Sequence, residues 1–244
     1  MYYKQLGEIP HKRHTQFRKP DGGLYREEVM GLEGFHGLQS ILYHHFLPPR
    51  VLKTELLGST KIEYAEFGAL RHRAFITADV PAGGDPVAAR RVLLGNNDVT
   101  MGTSRSTEKM DYFYRNGQAY EVWFVHEGTG ALYSQFGKLD FEPGDYIVIP
   151  FGTTWQMQPD AEARFFVVES PSQIAPPKRY LNKFGQFLEH SPYCERDIRT
   201  PKYIGPSTET GEFEVRVKVR DSISRHILDH HPHDVIGWDG CLYP

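Results

Sequence analysis

The stretch NGQAYEVWFVHEGTGALYSQFGKLDFEPGDYIVIPFGTTWQM, residues 116–157, carries the strongest structural signal in this chain of 244 residues. It divides into short runs rich in Val, Ile, Tyr, Phe and Trp, with Gly, Pro and Asp in the gaps. Such runs fit a pleated, half-buried surface, and the gap residues fit turns. The segment EVWFVHEG (121–128) reads as a mostly buried strand, and Pro143-Gly144 suits the centre of a type II turn, which needs positive φ at its third residue.

Working outward, the same pattern extends over residues 51–175. Candidate strands are Lys61–Phe67, Arg91–Leu94, Val99–Thr103, Asp111–Arg115, Glu121–Glu127, Gly130–Gln135, Gly137–Phe141, Tyr146–Pro150, Thr153–Met157 and Ala163–Glu169. Short strands at this spacing predict an all-β sandwich or barrel. Residues 1–50 read as an irregular N-terminal arm. Pro20-Asp21-Gly22-Gly23 is a turn signal, and glycines with Pro48-Pro49 forbid a long helix. Phe17, Leu24, Tyr25, Met30, Phe35, Leu42 and Tyr43 are too many apolar groups for a free tail. Residues 176–244 read as an extension with one short helix near Phe184–His190, one alternating strand over 212–220 and a turn-rich end, DHHPHDVIGWDGCLYP.

Composition limits the function classes. Net charge is −3, and 39% of residues are hydrophobic. A general nucleic-acid binder would show a basic excess. Two cysteines, Cys194 and Cys241, exclude a disulfide scaffold and fit a reducing cytoplasm. No apolar run is long enough to cross a bilayer as a helix, and the opening MYYKQLGEIPHKRHTQF lacks the apolar core of a signal peptide. A cytoplasmic protein with no membrane and no nucleic acid as partner is expected.

Residues 116–157 resemble the two consecutive motifs of the cupin family, a double-sheet barrel. The resemblance implies ligand positions where His-x-His, a Glu and a further His would meet a metal inside the barrel. Here Glu121 stands at the Glu position, and Tyr114 and Asn116 stand where the paired imidazoles would be. Trp155, after Pro150-Phe151-Gly152, replaces the last His, and His126 matches no ligand position. A cupin-like barrel whose own metal site is lost is expected, with Glu121 hydrogen-bonded inside it or at its rim. Trp123, Trp155 and tyrosines offer a second reading, as walls of a pocket in a stand-alone, non-enzymatic module binding a small organic molecule.

Other constellations are weaker. His226, His230, His231, His233 and Asp234 hold the raw material of an iron site, but Pro232 separates His231 from His233 and a third well-spaced ligand is missing. A structural loop is the expectation. The segment HKRHTQFRKP (11–20) places Lys12, Arg13, Arg18 and Lys19 beside His11 and His14, and either an anionic partner or acidic residues of its own assembly would pair with it. His44-His45 reads as a packed turn. Neither cysteine has the sequence surroundings of a nucleophile, and there is no phosphate-binding loop or G-x-S-x-G.

Six blocks in order are similar to the homogentisate 1,2-dioxygenase family, particularly its bacterial members. They are YYKQLGEIPHKRHTQFRKPDGGLY (2–25), MGLEGFHGLQSILYH (30–44), LLGNNDV (93–99), VHEGTGALYSQFGKLDFEPGDYIVIPFGTTW (125–155), RYLNKFGQFLEHSPYCERD (179–197) and HHPHDVIGWDGCLYP (230–244). The resemblance implies a non-haem Fe(II) oxygenase of tyrosine and phenylalanine breakdown, which takes homogentisate and O₂ to maleylacetoacetate. It also implies a homo-oligomer of trimers paired into hexamers. The family's iron ligands and catalytic His are expected C-terminal to residue 244, so no catalytic or metal-binding residue is assigned within the chain. The chain is then the N-terminal, non-catalytic part, with structural and subunit-contact roles and no iron of its own.

Overall fold

The computed structural model describes every residue except Met1, Phe67 and Leu70. Sixteen strands are described: β1 (Lys4–Gly7), β2 (Arg26–Glu33), β3 (His36–His44), β4 (Val51–Ser59), β5 (Arg90–Gly95), β6 (Thr100–Ser106), β7 (Phe113–Asn116), β8 (Tyr120–Glu127), β9 (Gly130–Ser134), β10 (Gly137–Phe141), β11 (Tyr146–Ile149), β12 (Thr154–Pro159), β13 (Ala163–Ser170), β14 (Thr210–Val219), β15 (Ser222–His230) and β16 (Val235–Gly240). They form a five-stranded sheet, β11-β8-β13-β6-β5, a seven-stranded sheet, β10-β9-β12-β7-β14-β15-β4, and a four-stranded sheet, β1-β16-β3-β2.

The first two sheets enclose the cupin-like barrel. Side chains alternate across each strand, so Glu121, Trp123 and Val125 of β8 are buried while Val122 and Phe124 between them are only partly covered. Trp155 and Met157 of β12 face Phe165 and Val167 of β13 within one core cluster. Trp123 meets Trp155 edge-on at 5.7 Å between ring centroids and Phe165 at 5.5 Å. Full burial of one such aromatic contributes about 3 kcal/mol, before any gain from ring geometry. At the β10–β11 turn, Gly144 has φ +99° and Asp145 donates its backbone N–H to Glu142 O, as the Pro-Gly pair requires.

The arm over residues 1–50 is irregular over 8–25 and 45–50 but carries regular strands elsewhere. It forms β1, β2 and β3, which sandwich β16 from the far end of the sequence. Every residue of β16 is buried. The segment VIGWDG looks like a turn by composition, yet its glycine is a strand requirement: a Cβ on Gly237 would lie 2.0 Å from Glu8 O. Trp238 docks this sheet on the barrel, donating its indole N–H to Phe136 O at 2.8 Å.

Two further expectations are corrected. Phe184–His190 is not helical: Asn182 accepts the backbone N–H groups of Phe184 and Gln186 on its side chain, and Gly185 adopts φ +82°, which closes a turn instead. In the candidate strand Lys61–Phe67, residues 61–66 are irregular and Phe67 lies outside the described residues; the strand runs earlier, as β4, where β15 offers a partner.

Candidate functional site

The barrel centre holds an ion cluster that the sequence did not reveal. Glu121 is wholly buried, with its two oxygens taken by the guanidinium of Arg90: Nη1 to Oε1 at 2.9 Å and Nη2 to Oε2 at 2.8 Å. Asn116 donates to Oε1 at 3.0 Å and the Trp123 indole N–H to Oε2 at 3.0 Å. Arg90 lies over the Trp123 ring, 4.3 Å from its centroid, and 5.1 Å from that of Tyr114. Its Nη1 also reaches Glu169 Oε1 at 2.8 Å, and Lys218 closes on Glu169 Oε2 at 2.5 Å. Two cations thus balance two carboxylates.

Each position has a local cause. β5 brings Arg90 to the barrel's edge, and the tight turn after β7, where Asn116 Oδ1 accepts the N–H groups of Gln118 and Ala119, aims the Asn116 amide at Glu121. Burial works against the charge on Arg90, but Glu121 and Glu169 outweigh it and hold the group protonated. Burial also penalises the Glu169 carboxylate, and Arg90 and Lys218 overcome this and keep its pKa below the usual value. Burial, and then the neighbouring Glu121, push the Tyr114 hydroxyl far above its ordinary range.

The residues present do not fit a metal ion. Glu121 is the one carboxylate at the four cupin ligand positions, and both its oxygens are saturated by N–H donors. Trp155 offers only an indole N–H, which is buried with no hydrogen-bond partner among the described residues. A guanidinium sits against Glu121 where a ligand-held cation would have to sit. The expectation that Glu121 is hydrogen-bonded within the barrel is met. The reading of Trp123 and Trp155 as pocket walls is overturned, because both are completely buried in the packed core. Open space lies instead at the barrel mouth, a cleft of about 500 Å³ lined by Lys61, Asp98, Gln118, Glu169, Lys218 and Arg220.

The histidine segment is dispersed into separate structural contacts. His226 meets Ser224 Oγ at 2.9 Å. His230 pairs with Asp229 and stacks on Phe46. The Nδ1 atom of His231 accepts the backbone N–H of His233. His233 is buried against Thr154 O, and desolvation pushes its pKa down to about 3, so it is neutral. Asp234 belongs to a second ion cluster. Its Oδ1 lies 2.6 Å from His44 Nδ1, while His44 Nε2 lies 3.1 Å from Glu28 Oε2. Burial works against charge on His44, but Asp234 and Glu28 prevail and raise its pKa to about 9. His44 therefore ends strand β3 as a buried cation rather than packing as a turn.

The remaining candidates turn inward or stand apart. His126 is exposed at the end of β8. In the basic segment, Arg13 binds the buried Asp239 at 2.7 Å, Arg18 donates to Gly22 O at 2.9 Å and Lys19 to His45 O at 2.6 Å, so three of its four cations serve the chain's own fold. Cys194 and Cys241 are free thiols. Among the described residues no group of three or more His, Cys, Asp or Glu converges as a metal site, and no helix is long and apolar enough to cross a membrane.

Residues 94–244 match the family described as homogentisate 1,2-dioxygenase N-terminal. A protein of Saccharolobus solfataricus, provisionally named a dioxygenase, is 38% identical over 245 residues, a match that takes in all of this chain and 63% of that protein. The chain thus spans under two thirds of the length of this curated relative. Among solved structures, a cupin-2 domain protein from Shewanella frigidimarina is similar over 33% of this chain and 78% of its own, at 21% identity and a TM-score of 0.31. A protein with a double-stranded β-helix domain from Klebsiella pneumoniae covers 43% of this chain and 95% of its own, at 18% identity and a TM-score of 0.35.

Proposed function

The chain belongs to the homogentisate 1,2-dioxygenase N-terminal family, and from that premise we propose that it is the non-catalytic N-terminal part of a ring-cleaving Fe(II) oxygenase. The reaction of the whole protein is the addition of both atoms of O₂ to homogentisate, giving maleylacetoacetate. In such an enzyme the iron supplies open coordination positions beside a two-His-one-carboxylate face. The observation that carries the non-catalytic reading is the Arg90–Glu121 pair: the barrel's ligand-side carboxylate is spent on a guanidinium. The role left to this barrel is to hold the four-stranded sheet and to offer surface to other subunits. The reading places the protein in the cytoplasm, as a homo-oligomer in tyrosine and phenylalanine catabolism.

Oxygen uptake tests it. With homogentisate and Fe(II), the 244-residue chain should consume O₂ no faster than buffer, whereas the longer protein that contains it should turn over. Iron-dependent turnover by the chain alone, lost in Glu121→Gln, would overturn the reading.

A further inference from the structure

The cleft at the barrel mouth lies between one hairpin turn from each barrel sheet. The seven-stranded sheet contributes the β14–β15 turn, in which Arg220 and Asp221 stand between the paired residues Val219 and Ser222. The five-stranded sheet contributes the β5–β6 turn over residues 96–99. The segment after β4 ties the two turns together. Thr60 donates its backbone N–H to Asp221 O at 2.8 Å, and Tyr64 its hydroxyl to Asn96 O at 3.3 Å. A volume of about 500 Å³ is that of a small-molecule site.

Both turns are fixed in place. Asn96 Oδ1 accepts the backbone N–H groups of Asp98 and Val99, each at 2.8 Å. Arg220 has φ +54° and is the one residue other than glycine at positive φ among the described residues. Glycine is the usual occupant of such a position in a two-residue hairpin. Gln118 holds the strained turn by accepting the Arg220 N–H at 2.5 Å, and Thr60 by donating its hydroxyl to Arg220 O at 3.4 Å. Strain of this kind persists where the surroundings impose it, and it gathers at ligand sites. Here it places a guanidinium on the cleft where glycine would place nothing.

The charges of the cleft fall into two sets. Glu169 and Lys218 are mostly covered, and both Glu169 oxygens already accept N–H groups, from Arg90, Lys218 and Asn116. Lys218 directs one of its three ammonium N–H donors to Glu169. The outer set is Lys61, Arg220, Asp98 and Asp221. Among the described residues no hydrogen bond or ion pair reaches any of these four side chains. Two cations and two carboxylates therefore stand unpaired around one cavity, with Ile62, Tyr64 and Val99 as its apolar surface. A simple anion would meet Arg220 and Lys61 but be repelled by Asp98 and Asp221, and a simple cation would meet the reverse. A ligand that carries both signs and no net charge complements both pairs.

We propose that the barrel mouth binds a small zwitterion with an apolar body, an α-amino acid with an aliphatic side chain. Its carboxylate accepts from Arg220, Lys61 and the remaining N–H donors of Lys218. Its ammonium donates to Asp98 or Asp221, and its side chain covers Ile62, Tyr64 and Val99. The site uses neither iron nor ring cleavage, so it stands or falls separately from the reaction proposed above.

Calorimetric titration of the full chain with L-leucine, L-methionine and L-valine tests it. At least one should bind at millimolar concentration or below. For that amino acid, the deaminated acid and the decarboxylated amine should each bind roughly tenfold more weakly or worse, the scale of one lost charge-assisted contact. Arg220→Gly should weaken binding to the same extent without lowering the melting temperature, because glycine takes positive φ freely. Asp98→Asn should weaken it likewise. Circular dichroism checks that each variant folds, and if Arg220→Gly does not, Asp98→Asn and Lys61→Met decide. Silence of all three amino acids at millimolar concentration overturns the site. Unchanged affinity in either folded variant overturns its placement at the barrel mouth. Equal binding of the acid, the amine or inorganic phosphate overturns the zwitterion.

Discussion

The barrel centre and the terminal sheet both bury charge, but they do so with different cations. In the barrel, Arg90 and Lys218 balance Glu121 and Glu169. At the terminal sheet, His44 lies between Asp234 and Glu28, apart from the Arg13–Asp239 pair on β16. A guanidinium keeps its charge at any pH the protein meets, and an imidazole does not. The barrel is thereby locked, while the His44 cluster that helps tie residues 26–44 to Asp234 is conditional on pH. Both clusters are built from a carboxylate held by more than one donor, which is what makes a buried ion tolerable.

Removing a partner from the locked cluster should do the most damage. Arg90→Ala leaves Glu121 buried without its cation and should cost about 3–5 kcal/mol in urea denaturation. Arg90→Lys should recover only part of this, because an ammonium lacks the fork that meets both Glu121 oxygens. Arg90→Met combined with Glu121→Gln should be more stable than Arg90→Met alone, since the stranded charge is then gone. Strict additivity of the two changes would break the claim that they form one unit.

The conditional cluster should show itself as alkaline lability. The folded pKa of His44 is raised from 6.5 to about 9. The folded state therefore holds its proton where the unfolded chain has lost it. The stabilisation is whole below pH 6.5 and disappears as pH rises through 9, a loss of about 3 kcal/mol. His233 acts with the opposite sign. Its folded pKa is lowered to about 3, so the unfolded chain binds the extra proton first and stability falls as pH drops below 6.5. Stability should peak near neutrality. His44→Gln should be less stable at neutral pH and flatten the alkaline limb, and His233→Gln should flatten the acid limb. Melting temperatures across pH check this, and an alkaline limb unchanged in His44→Gln would place the titrating group elsewhere.

The two regions also differ in how much the sequence tells of them. The barrel strands carry period-two alternation with Pro-Gly and Asn-Gly punctuation, so all nine candidates from residue 91 onward correspond to strands seen here. Strands β1, β2, β3 and β16 are a different case. Gly31, Gly37 and Gly237 interrupt their patterns, and although β2 pairs locally with β3, the partner that joins β1 and β3 is β16, some 200 residues away. No local window contains that information. The chemistry divides in the same way. Glu121, Asn116, Tyr114 and Trp155 are legible from motif spacing, and so is the absence of imidazole among them. Arg90 is not, because an arginine in the pair Arg90-Arg91 looks like any solvated strand end. The histidine-rich segment misleads in the opposite direction: it concentrates metal-binding residue types, yet its members point to Ser224, Asp229, Thr154 and His44.

The smallest effect expected is on metal dependence, and it separates a locked barrel from a disguised metal site. A bound ion stabilises a fold in proportion to its occupancy, so chelation lowers the melting temperature of any protein that relies on one. In this barrel the stabilising cation is Arg90, which no chelator removes. EDTA should therefore leave the melting temperature of the chain unchanged, and Fe(II) or Zn²⁺ should not raise it. His231→Ala should keep this indifference, since its ring nitrogen serves a backbone N–H rather than an ion. A drop of several degrees with EDTA that is absent in Glu121→Gln would return the barrel centre to the metal-binding class. The same drop absent in His231→Ala would move the ion to the segment between β15 and β16. Indifference in all three proteins leaves Arg90 as the cation on which the barrel depends.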